Sequence, residues 1–238
     1  MGLSPYADPR GAGVRTLALE TTETIGSVAA ADDDNLLVEH QLDPSQRSAQ
    51  SLAPAIRDVL QQAGWQPSDV RLVAVTIGPG SFTGLRVGVA TAKVFAYAAG
   101  AEVLGIDTLE VIAAAAGPEV QDLWTAVDAQ RGDVVVRAFH RAPSGWLEPA
   151  GPAALVPFDT WLTGLPPGSL VSGPALGKLS GVLPPGVAAL DPKHWRPTAA
   201  NVARLALRHY LAGRRDDLWA LVPHYSRRPA AEEKRDGV

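Results

Sequence analysis

Three features of the sequence predict an α/β protein. Short apolar runs at Val14 to Glu20, Ile25 to Ala31 and Leu36 to Gln41 are separated only by the polar TTET and the acidic turn DDDN, which reads as an antiparallel meander. Two helical patterns then alternate with two further apolar runs. A glycine-rich stretch, GPGSFTGLRVG from Gly78 to Gly88, joins one of those runs to the second helix. Meander, helix, strand, helix, strand is the order of a ribonuclease H-like half.

The first helix is predicted by Ala49, Leu52, Ala53, Ile56, Val59, Leu60 and Ala63 at helical spacing, with Gly64 as its stop, about four turns in all. Arg71 to Ile77 (RLVAVTI) is a strand, Leu85 to Ala99 the second helix, and Glu102 to Asp107 the next strand. Prolines break the second half often. Leu123 to Asp128 and Val134 to His140 read as a hairpin across the turn AQRGD. The Pro- and Gly-rich stretches Ser144 to Pro157 and Pro166 to Pro192 read as brief strands between loops, at runs such as SLVSG and GVAAL. Ala199 to Leu211 is a helix with Val202, Leu205, Ala206 and Tyr210 on its apolar face and Gly213 as its stop. The expected division is a disordered leader over 1–13, a first lobe over 14–112, a second lobe over 113–228 and a flexible tail over 229–238.

Composition narrows function. The chain has 238 residues, 46% of them hydrophobic, and a net charge of −4 from 21 basic and 25 acidic residues. No positive excess is available to neutralise phosphates, so tight, independent nucleic-acid binding is not expected. The absence of cysteine removes disulfides, thiolate zinc sites and cysteine nucleophiles. No run is long and apolar enough for a membrane span, and the start MGLSPYADPRGAG lacks the pattern of a signal peptide, so a cytoplasmic location is expected.

The strand, glycine-rich loop and helix would aim backbone N–H groups at one spot. That arrangement can hold an anion, or the glycines can simply permit a tight turn and close packing. A Walker loop fails because Leu85 and Arg86 follow Gly84, and a nucleophile elbow fails because Pro79 and Thr83 flank Ser81 where glycines are needed. A dinucleotide fingerprint comes nearer through Gly78, Gly80 and Asp107, but its third glycine is one residue late. Gly84, Gly88, Ala92, Ala96 and Gly100 place a small residue at every fourth position, while Val87, Val94, Phe95 and Ala98 make the opposite surface apolar as well. Such a helix is either a central core helix or part of a protein interface. The interface candidates are Ala49, Leu52, Ala53, Ile56, Leu85, Gly88, Ala92 and Ala96.

Catalytic and metal chemistry find little support. Among the five histidines no pair has the three- or four-residue spacing of a helical metal clamp, so no metal site is expected. Asp128 and Asp133 flank a turn, where carboxylates commonly bond their own backbone. Glu20, Thr21 and Thr22 end the first strand and, with Gly78, Gly80 and Ser81, are the nucleotide-proximal candidates. Arg227, Arg228, Lys234 and Arg235 are offset by Glu232, Glu233 and Asp236 and make no nucleic-acid patch.

LALETTETIGSVAA, LAPAIRDVLQQAG and above all TIGPGSFTGLRVGVATAKVFAYAAG resemble the TsaB family, with weaker echoes in VDAQRGDVVV and in PHYSR at Pro223 to Arg227. The resemblance runs from Thr16 to about Ala231. It implies a two-lobed, actin-like, ribonuclease H-like fold with a reduced second lobe. It also implies a non-catalytic subunit that pairs with the catalytic paralogue TsaD and the ATPase TsaE, which together move a threonylcarbamoyl group from its adenylate to the adenosine beside the tRNA anticodon. On that reading tRNA is met only through the complex, the chain pairs with itself when alone, and it has no cofactor of its own beyond ATP or ADP at the boundary with the partner. Glu20 stands where the family usually has Asp, Ser48 stands near a common family His, and AQRGD does not reproduce an Asp-x-Gly phosphate loop. The rival expectations are a self-sufficient small-molecule kinase of the same fold and a glycoprotease-like peptidase.

Overall fold

The computed structural model describes residues 13–43, 48–178 and 183–227. The predicted tail, and all of the leader but Gly13, lie outside the described residues.

The meander forms as β1 (Arg15–Glu20), β2 (Ser27–Asp32) and β3 (Asn35–Gln41), each antiparallel to the next. The chain continues through α1 (Ser48–Ala63), β4 (Leu72–Gly78), α2 (Phe82–Ala99), β5 (Glu102–Asp107) and α3 (Thr108–Ala113). β4 lies parallel to both β1 and β5, giving the sheet order β3-β2-β1-β4-β5. Because β4 has neighbours on both sides and helices on both faces, all seven of its residues are buried, and its sequence is apolar except for Thr76.

The second lobe repeats this plan. β6 (Asp122–Asp128), β7 (Asp133–Arg141) and β8 (Leu147–Pro149) form an antiparallel set, β9 (Ala154–Pro157) also pairs with β7, and α4 (Phe158–Thr163) follows. β10 (Leu170–Ser172) and β11 (Ala188–Ala189) then add in parallel beyond β6. The order β11-β10-β6-β7-β8 matches that of the first sheet, strand for strand. Two such lobes in one chain are the actin-like, ribonuclease H-like fold, the second reduced to strands of two or three residues at its parallel edge.

Strand alternation decides what covers each face. Leu17, Leu19, Val73, Val75 and Ile77 face α1 and α2, where Leu52, Ile56, Val59, Val89, Ala92 and Ala96 meet them. Ala18, Ala29, Leu72, Ala74 and Ile106 face the other way, onto α5 (Ala199–Leu211) through Val202, Leu205, Ala206 and Tyr210. This corrects the division expected at residue 113. Although α5 lies in the stretch 113–228 assigned to the second lobe, its apolar stripe closes the first lobe's sheet, which would otherwise be bare on that side. α3, unremarked in the sequence, joins the lobes by setting Val111 against the first core and Leu109 and Ile112 against Leu123, Val127 and Phe139 of the second.

Candidate functional site

β4 ends in a cis Gly78–Pro79 bond, and Ser81 caps α2 by accepting a hydrogen bond from Gly84 N at 3.2 Å. Of the nucleotide-proximal candidates, Gly80 and Ser81 meet Thr22, while Gly78 faces His224, and the space at the turn is closed by the chain itself. Ser81 N donates to Thr22 O at 2.9 Å, and Thr21 Oγ1 donates to Gly84 O at 2.8 Å. A Cβ on Gly84 would stand 1.8 Å from Thr21 O, one on Gly88 2.2 Å from Thr21 Oγ1, and one on Gly80 2.5 Å from Thr22 Cβ. These glycines admit the β1–β2 turn where an anion cradle would need open space, so this loop does not fit a nucleotide phosphate.

Glu20 is fully buried. Its Oε1 accepts from Thr22 N at 2.6 Å and from the Thr22 hydroxyl, while Oε2 has no partner. Burial pushes its carboxyl up to about 8, against the lowering effect of the Thr22 hydrogen bonds. Glu23, in the same turn, is pushed up to about 7 by burial, opposed by the Arg196 charge. At neutral pH Glu20 is therefore a neutral acid that braces the turn, a poor ligand for a cation.

The paired carboxylates at the hairpin do not converge. Asp128 accepts from Gln130 N and pairs with Lys178 at 2.7 Å, whereas Asp133 pairs with Arg227. Among the described residues no group of three or more His, Asp or Glu side chains is placed to hold a metal ion, and no helix is long and apolar enough to cross a membrane. Arg228, Lys234 and Arg235 lie outside the described residues.

The interface candidates divide in two. Leu85, Gly88, Ala92 and Ala96 are buried, as is Leu52, so the small-residue ridge of α2 faces inward and cannot meet a partner in this fold. The physical reason is the turn just described, since only glycine at 84 and 88 lets α2 approach Thr21. Ala53 is exposed and, with the buried Ile56, lines a groove of about 730 Å³ between α1 and α2, while the side chain of Ala49 lies outside the described residues. Across from them stand Ala90, Val94 and Ala98, again at four-residue spacing, with Leu60, Trp65 and Phe95 in the floor and walls. Val94 is 69% exposed. The signal for this outer face was the apolar opposite surface of α2, and a helix that is apolar on both sides needs two partners.

Comparison with known proteins agrees with this architecture. Residues 43–172 match a family model described as TsaD, tRNA N6-adenosine threonylcarbamoyltransferase. The tRNA threonylcarbamoyladenosine biosynthesis protein TsaB of Escherichia coli is 28% identical over 141 residues, 56% of this chain and 58% of that protein. The Bacillus subtilis TsaB is 28% identical over 61% of this chain and 63% of its own length. The chain thus spans about three fifths of the curated relatives it matches. Among solved structures, YeaZ from Pseudomonas aeruginosa superposes with a TM-score of 0.75 at 26% identity, over 89% of this chain and 99% of that one.

Proposed function

Because this chain belongs to the TsaD family, as a TsaB/YeaZ member of it, we propose that it is a non-catalytic partner subunit in the formation of threonylcarbamoyladenosine in tRNA. The observation that carries the reading is the open apolar groove between α1 and α2, built by helices whose other faces are already spent on the first sheet. A TsaD-like catalytic subunit with the same helix pair would present a face of matching shape. Docking there stabilises the partner's productive conformation by differential binding. A second copy of this chain offers the same patch, so homodimer and heterodimer compete for one isologous surface. A TsaE-like ATPase completes the assembly, tRNA is bound through the assembly, and any nucleotide sits at the boundary on residues of the partner. The closed glycine-rich loop speaks against a self-sufficient kinase.

The experiment is reconstitution of tRNA modification from the TsaD-like and TsaE-like proteins of the same source, with and without this chain. Modification is expected to disappear when the chain is omitted or carries Ala90→Glu and Val94→Glu together. Undiminished modification on omission overturns the proposal.

A further inference from the structure

Beyond α5 the chain runs without helix or strand along the first lobe, and neither the groove nor the glycine-rich turn accounts for the side chains that fix it there. Arg214 donates to Gly105 O at 2.6 Å and pairs at 2.9 Å with Asp216, whose carboxylate accepts from Gly105 N at 2.8 Å, so the segment starts anchored to β5. It then descends α2 from end to beginning. Trp219 packs on Tyr97 with ring centroids 5.6 Å apart, and Lys93 Nζ donates to the carbonyls of Trp219 and Leu221 at 3.0 and 3.1 Å. Leu221 enters the first lobe's core, and His224 N donates to Ile77 O at 2.7 Å. Tyr225 lies against Phe82 at 4.8 Å, and its hydroxyl accepts from Arg86 Nε at 3.0 Å while that guanidinium covers Phe82 at 3.9 Å. Up to this point these contacts are all to the first lobe.

Two residues further on, Arg227 crosses to the second lobe and pairs with Asp133 at the β6–β7 hairpin. The hairpin tip is built to hold that carboxylate still. Gln130, Arg131 and Gly132 take positive φ values of 63°, 54° and 85° in succession, and Asp133 N closes the turn on Gln130 O at 3.0 Å. The ion pair is about three quarters shielded from water, with 23% and 26% exposure on its two sides, so it is less screened than a surface pair. Elsewhere the lobes meet through α3, through Arg137 of β7, which pairs with Asp107 at the end of β5 at 3.1 Å, and through Arg208 of α5, which pairs with Glu148 beside Trp146. We propose that residues 214–227 form a clasp across the two lobes, with Arg227 and Asp133 as its latch, so that the angle between the lobes is set by this strap at the β6–β7 hairpin tip together with the ties around α3. The clasp does not depend on the partner-subunit reading.

The chain contains no cysteine, so single labels can be placed at will. Asp34→Cys in the β2–β3 turn and Asp159→Cys in α4, both exposed and on different lobes, take spin labels for an interlobe distance distribution. Arg227→Gln and Asp133→Asn are each expected to broaden that distribution and to speed amide exchange about fivefold in both 129–133 and 223–227. The reciprocal pair Asp133→Arg with Arg227→Asp is expected to restore both readings. Arg227→Gln, beyond the last core contact, tests the latch without touching a strand. A distribution of unchanged width in Arg227→Gln, or a reciprocal pair no better than the single variants, overturns the clasp.

Discussion

The two faces of α2 carry the same kind of residue at the same spacing and meet opposite ends. Gly84, Gly88, Ala92 and Ala96 are pressed into the first lobe, where a Cβ on either glycine would strike Thr21. Ala90, Val94 and Ala98 stand open along the groove with α1. On the inner face, smallness is demanded by backbone already in place. On the outer face, no described residue closes over it, and smallness leaves room for an approaching surface. A ridge of small residues therefore announces close packing without saying whether its partner lies inside or outside the molecule.

Substitutions sharpen that contrast, and the largest effect belongs to the inner face. Gly84→Ala puts a methyl group where a backbone carbonyl oxygen sits, so a loss of about 3 kcal/mol or more in denaturant unfolding is expected. If Gly84→Ala cost no more than Ala90→Ser, the two faces would be equivalent and the contrast would fail.

Next in size is the acid beneath that face. Glu20 keeps its proton in the folded chain to about pH 8, whereas the unfolded chain releases it near 4.5. Between those values the unfolded state binds fewer protons, so stability falls as pH rises through that window, and Glu23 adds to the slope up to about 7. Glu20→Gln retains the acceptor for Thr22 and cannot ionise. It is expected to match the parent near pH 4.5 and to exceed it by a margin that grows up to about pH 8, read from melting curves across pH. Parallel pH profiles for the two proteins would show that the carboxyl is not held neutral.

Smaller still is the flank of α2 that carries the carboxyl-terminal strap. Tyr97→Ala removes the ring against Trp219 and is expected to cost about 1 kcal/mol. The outer face closes the series. Ala90→Ser should leave stability within about 0.5 kcal/mol, while Ala90→Glu at the same position should weaken self-association in sedimentation experiments at least tenfold with equally little effect on folding. A large loss of stability in Ala90→Glu would move that position into the core.

Much of the first lobe could be read directly. Its strands and helices lie within a few residues of the expected ranges, because Val73 to Ile77 and Leu52 to Leu60 are long patterns of a single period. Short elements escaped. α3 and α4 have six residues each, too few to establish a helical period; α3 is fixed by Asp107 capping Leu109 N and Glu110 N, and α4, which has no side-chain cap, by the core that Trp161 and Leu162 enter. At the candidate site, Ala53 and Ile56 were named from the apolar pattern of α1, but Ala90 was not singled out, since one alanine among many has no signature of exposure.

By itself the sequence determined the order of elements, the glycine-rich turn with its small-residue helix, and the likeness to the TsaB family, all of which follow from patterns between near neighbours. Tertiary structure alone decided that α5 returns to cover the first sheet, that Thr21 fills the space the glycines leave, and that Ala90, Val94 and Ala98 face outward. Each depends on contacts between residues far apart in the chain. Local periodicity says that a face must be covered, and only the packed molecule says by what.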